Sequence, residues 1–155
     1  MLRLIQISAG EFLASCLLTT IAALSLTTEA LSAEVVVKTL NSSPGGPMVF
    51  DPAFVKLAPG DSLRIVPTDK GHNIESIKGM APEGAPAVKT VVGKEETITF
   101  DKEGIYGFKC SPHYLMGMVA LVVVGSNRDN LEPARAVEHG KLAKKRFDPL
   151  FAQVP

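Results

Sequence analysis

At 155 residues the chain is long enough for one ordinary domain and little more. Its 16 basic and 16 acidic residues cancel, which excludes the basic excess of a nucleic-acid binder. The lack of Trp, with 13 Gly and 11 Pro, suits a turn-rich β domain better than a helix bundle.

Arg3 gives a thin positive start, and 12–26 (FLASCLLTTIAALSL) is an uncharged apolar run. That run is short of the roughly 20 residues a membrane span needs. Small residues follow in Ala30-Leu31-Ser32-Ala33. The pattern reads as a secretory signal peptide over 1–32, cut after Ser32 or Ala33, which leaves a mature domain over 33–155 with no membrane segment. Leu13-Ala14-Ser15-Cys16 resembles a lipoprotein box, but the apolar run follows that cysteine instead of preceding it, so Cys16 is read as a leader residue. Loss of Arg3, Glu11 and Glu29 leaves a net charge near +1. It also leaves Cys110 as the one mature cysteine, an exported thiol with no disulfide partner.

The mature chain opens with a strand over 34–40 (EVVVKTL), followed by a loop over 41–47. Short strands are expected over 48–51 and 54–57, a tight turn at Pro59-Gly60-Asp61, and an alternating strand over 62–67. Residues 79–86 are irregular, because Pro82 and Pro86 break any helix. Strands over 97–100 and 105–109 flank a turn at 101–104, and 119–124 (VALVVV) reads as a buried strand. This predicts an all-β fold, an antiparallel sandwich or barrel. From about 130 to 155 the pattern changes to helix. Asn130 can cap a helix opening at Leu131, Gly140 interrupts it, and 141–147 continues as a second, basic helix with a solvated face. His139 is read as a surface residue of this appendage.

The segment that carries chemistry is Cys110-Ser111-Pro112-His113-Tyr114-Leu115-Met116-Gly117-Met118, between two strands. A loop held at both ends by a sheet is rigid, so its Cys, His and Met can converge. His72 follows a strand and turn upstream, in Asp69-Lys70-Gly71-His72-Asn73. Two imidazoles, a thiolate and a weak thioether are the donor set of a type 1 (blue) copper centre. Thiolate and thioether suit Cu(I), and imidazoles tolerate both oxidation states. A lone Cys is ordinarily a small core residue and a lone Met ordinary packing; their convergence in one strand-flanked loop with an upstream His favours copper. Zinc prefers donors other than a thioether. Spacing alone leaves both Met116 and Met118 within reach.

On the stretches MVFDPAFVKLAPGD, DKGHNIESI, APEGA and KCSPHYLMGMVAL the sequence resembles the pseudoazurins, a branch of the cupredoxin electron carriers. The spacing C-x₂-H-x₄-M is shared with plastocyanins; the helical extension after Val124 is what sets the pseudoazurins apart. The resemblance implies a cupredoxin-like Greek-key sandwich holding one copper ion through His72, Cys110, His113 and Met118, with Met116 on the surface. It implies that the Asn73 amide bonds the Cys sulfur while its side chain ties the ligand loops. Pro112 would leave that sulfur without a second donor, and Met48 would pack near a ligand ring. It implies that His113 reaches the surface inside an apolar patch of Met48, Pro112 and Met116, rimmed by Lys70, Lys78, Lys89 and Lys109. Ser42 stands where many pseudoazurins carry Lys. The expected role is a soluble, monomeric periplasmic carrier of single electrons, with copper nitrite reductase and c-type cytochromes as partners, and not an enzyme. The alternative is a periplasmic copper chaperone or storage protein, which would share the soft ligands but exchange metal readily.

Overall fold

The computed structural model describes residues 31–155. The expected leader therefore lies outside the described residues, apart from Leu31 and Ser32. Eight strands form two four-stranded sheets. The first orders β2 (Gly46–Asp51), β1 (Glu34–Ser43), β4 (Ser62–Val66) and β6 (Glu96–Thr99). The second orders β3 (Phe54–Leu57), β8 (Val119–Val124), β7 (Gly104–Lys109) and β5 (Glu75–Ser76). β1 pairs parallel with β4, and β3 parallel with β8; the other pairs are antiparallel. Alternation explains the faces: in β4 the inward residues Leu63 and Ile65 are buried while their neighbours are half-exposed.

The unbroken apolar run in β8 has a different cause. Val122, Val124 and Ala120 face the core between the sheets, whereas Val119, Leu121 and Val123 face a second core under the C-terminal helices. β7 is divided likewise, with Tyr106 and Phe108 inward and Ile105 outward. Both strands are buried on both faces, so alternation disappears from their sequence. Gly107 in β7 lies against Met80, where an added Cβ would fall 2.4 Å from Met80 Cε and 2.8 Å from its Cβ.

The helices are α1 (Leu131–Arg135) and α2 (Lys141–Phe151). Several expectations are corrected here. β1 continues through Asn41 to Ser43, because Pro44-Gly45 turns the chain directly into β2 and pairs Ser43 with Gly46. β5 was not expected; two residues are too few to show a period. Asn130 does not cap α1 with its side chain. Instead its Oδ1 accepts from Ile105 N at 2.9 Å and its Nδ2 donates to Ile105 O at 2.8 Å, tying the helix to β7. α2 runs past 147 and through Pro149, because burial of Phe147, Leu150 and Phe151 outweighs the lost backbone donor. His139 is half-buried instead of free on the surface: its ring packs 4.6 Å from that of Phe147.

Gly107→Ala should destabilise the fold by about 1–3 kcal/mol through overpacking against Met80, read from the denaturant midpoint. A loss under about 0.5 kcal/mol, typical of a surface change, would mean that the two cores are not packed this tightly.

Candidate metal centre

Cys110 directly follows β7, and Met118 directly precedes β8. Cys110 N donates to Met118 O at 3.0 Å, which extends the β7–β8 ladder by one rung and closes the loop at its base. Inside the loop a 3-10 turn spans Tyr114–Met116 and ends on Gly117, whose φ of +85° is left-handed. A Cβ at Gly117 would also come 3.0 Å from Leu142 O, so glycine is required twice over. His72 comes from the β4–β5 connection. Asn41 N donates to Asp69 Oδ2 at 2.7 Å, and Asp69 N to Thr39 O at 3.0 Å, which fixes that connection to β1.

Three donor atoms converge. His72 Nδ1 and His113 Nδ1 are 3.0 Å apart, and Cys110 Sγ lies 3.6 Å and 3.5 Å from them. Metal–ligand bonds of about 2.0–2.3 Å place such donors about 3–4 Å from one another. No carboxylate belongs to this cluster. Met118 is fully buried in the same core cluster as Cys110, whereas Met116 is 43 % exposed. Burial thus favours Met118 over Met116, which spacing had left open. Two imidazole nitrogens, a thiol and a buried thioether fit copper and fit harder cations poorly.

The surroundings tune the donors. His72 is 1 % exposed, and its Nε2 meets Asn41 Oδ1 at 2.9 Å. Nε2–H donating there leaves the Nδ1 lone pair facing the cluster. Burial, and then the nearby His113, push the His72 pKa down, which keeps the ring neutral. Burial pushes the Cys110 thiol up; the backbone amides of Asn73 and His113 pull the other way. Asn73 does join the loops: its Oδ1 accepts from Ser111 N at 2.9 Å, and its Nδ2 donates to Ser111 Oγ at 3.0 Å. Met48 is half-buried against the same core.

Two contributors were not read from the sequence. Asn41 sat in an expected loop of Ser, Pro and Gly, where a single Asn carries no signal; only the register of β1 aims it at His72. Glu75 bonds the Ser111 hydroxyl and pairs with Lys89 at 3.1 Å and Lys109 at 3.5 Å. Its carboxyl is held down at about 2, by the Ser111 hydroxyl first and then by Lys89 and Lys109. Two of the four expected rim lysines therefore share an acid. Lys70 and Lys78 are exposed and make no ion pair among the described residues.

Comparison with known proteins agrees with this donor set. The family model of copper binding proteins, plastocyanin/azurin family, matches residues 37–125. A pseudoazurin from Methylorubrum extorquens is 67 % identical over 132 residues, covering 85 % of this chain and 89 % of the relative. A pseudoazurin from Paracoccus pantotrophus is 44 % identical over 133 residues, covering 86 % and 92 %. The crystal structure of pseudoazurin from Methylobacterium extorquens AM1 superposes with a TM-score of 0.78 at 70 % identity, covering 79 % of this chain and 99 % of that one.

Asn41→Ala should weaken copper binding about 10–100-fold, the usual cost of removing a partner that orients a ligand, measured by competition with a chelator. The depressed Glu75 carboxyl stabilises the fold above the ordinary carboxylate value of about 4.3. That contribution is lost as pH falls toward about 2. Glu75→Gln should therefore cost about 1 kcal/mol at pH 7, discounted for solvent screening, and progressively less below pH 4. Urea unfolding across that range checks the sign.

Proposed function

This chain belongs to the pseudoazurins, within the plastocyanin/azurin family of copper-binding proteins, and from that membership we propose that its mature form holds one copper ion between His72, Cys110, His113 and Met118 and carries single electrons between redox proteins. The observation that carries the reading is the triangle of Nδ1, Nδ1 and Sγ with sides of 3.0–3.6 Å. Copper bound there supplies a one-electron Cu(I)/Cu(II) couple.

The residues supply what such a couple needs. Thiolate and thioether stabilise the reduced ion, while the imidazoles serve both states. The closed loop and the Asn41 and Asn73 bonds hold the donors still, so little rearranges when charge changes. His72 is enclosed, whereas His113 is half-buried, which makes His113 the route to the surface. Leu115, 83 % exposed, and Met116 stand beside it with Pro112. That apolar face suits brief docking, and Lys70 and Lys78 offer free positive charge to an acidic partner.

The finer assignments follow the family resemblance. They are a cleaved leader over 1–32, a periplasmic monomer, and exchange with copper nitrite reductase and c-type cytochromes. No helix among the described residues is long and apolar enough to cross a membrane.

Cu(II) added to residues 33–155 should produce an intense visible thiolate-to-copper band that bleaches on one-electron reduction. Cys110→Ser should lose it. A protein fully loaded with copper yet colourless would overturn the electron-carrier assignment in favour of copper storage.

A further inference from the structure

The C-terminal segment does more than cover the second core. Arg146 of α2 donates from Nη1 to Met48 O at 2.8 Å and from Nη2 to Pro47 O at 2.6 Å. Met48 has φ of +50°, the one left-handed non-glycine residue among the described residues. Such a conformation persists only where its surroundings over-determine it. The guanidinium fork does so by gripping two successive carbonyls. In the connection between α1 and α2, His139 Nδ1 meets the Tyr114 hydroxyl at 2.6 Å. The other face of His139 lies against Phe147, itself buried in the core under the sheet. Tyr114 opens the 3-10 turn between His113 and Met118.

Met48 falls at a gap in the β1–β2 ladder, between the Leu40↔Val49 and Ser42↔Pro47 pairs, so strand pairing does not hold its backbone there. The half-buried Tyr114 hydroxyl could be met by water. Both contacts run from one helical segment: one to the loop that carries Cys110, His113 and Met118, the other to Met48, which packs on the core cluster that includes Cys110 and Met118. Gly117 adds a third point, seated against the Leu142 carbonyl.

We propose that residues 131–151 are a positioning element for the metal centre, with Arg146 fixing Met48 and His139 fixing Tyr114. The segment holds the ligand loop and the neighbouring Met48 in one arrangement through both oxidation states. This rests on His113 and Met118 being ligands, as proposed above.

The test uses the mature chain with and without copper. Arg146→Met removes both guanidinium bonds while keeping the aliphatic stem, and Tyr114→Phe removes only the hydroxyl. His139→Leu removes the polar partner of the Tyr114 hydroxyl, and His139→Gln retains one. Leu150→Ala, buried in α2 but making neither bond, is the control for general loss of stability. In the copper-free protein, Tyr114→Phe and His139→Leu should speed hydrogen exchange at Met116 and Gly117 by about tenfold, with His139→Gln close to the parent. Arg146→Met should do the same at Gly46, Met48 and Val49. With copper, these variants should shift the reduction potential and change the ratio of the visible bands. The control should lower stability and move neither. Unchanged exchange and potential in Arg146→Met and Tyr114→Phe would overturn the proposal, as would equal changes in Leu150→Ala. Failure of the ligand reading would show separately, as a parent protein without the visible band, and the exchange arm would still decide whether the segment braces the loop.

Discussion

The constraint on which the rest depends is the burial of β7 and β8 on both faces. Their ladder runs unbroken from Gly104↔Val124 to Lys109↔Val119, and the Cys110–Met118 backbone bond adds one rung more. Side chains such as Phe108 and Leu121 are fully buried, on opposite faces of the sheet. Each contributes roughly 1.5–3 kcal/mol by burial. Displacing Cys110 or Met118 would mean opening this ladder. The loop between them is only seven residues long, and a 3-10 turn and a left-handed glycine consume most of its freedom. Rigidity at the centre thus starts from the sandwich, and the Asn41 and Asn73 bonds add to it.

Burial also sets the charge state. It raises the Cys110 thiol and lowers the His72 imidazole, and both shifts favour the neutral donors. Binding a metal must release the thiol proton, which leaves a donor set of one negative charge. That set brings a monovalent ion to zero and a divalent ion to one positive charge. The reduced state would thus bury no net charge and the oxidised state one, so burial weighs against the oxidised ion. The acidic group nearest the loop, Glu75, is spent outside the centre on Ser111, Lys89 and Lys109.

The donor set was legible because it is concentrated: three of the four proposed ligands fall within nine residues, between two segments whose strand character is plain. His72 was legible from its setting after an alternating strand. What escaped were pairings between distant segments. Asn41 reaches His72 across 31 positions, and Glu75 reaches Lys109 only through the β5–β7 register. A two-residue strand has no periodicity to find, so that register was invisible. Asn130 and His139 were misread for a related reason. A local rule, capping for one and polarity for the other, was applied to side chains whose partners lie 25 residues away. Tertiary partners outcompeted the local roles.

The same pairings change the picture of the docking face proposed above. Four lysines read along the chain suggest a strong positive rim. In space, Lys89 and Lys109 share the Glu75 carboxylate, and Lys109 also lies over the Tyr114 ring at 5.3 Å. A depressed carboxylate stays ionised at every physiological pH, so those three groups together contribute one positive charge, not two. Ser42 supplies none. With screening over about 8 Å at physiological ionic strength, the pull on an acidic partner rests mainly on Lys70 and Lys78. The apolar part is correspondingly prominent, with Leu115 83 % and Met116 43 % exposed on the loop. Steering by charge governs how fast partners meet, whereas apolar contact governs how long they stay. Weak steering and a small apolar contact give an encounter that tolerates different partners and releases each quickly, which is the balance a carrier shuttling between donor and acceptor requires.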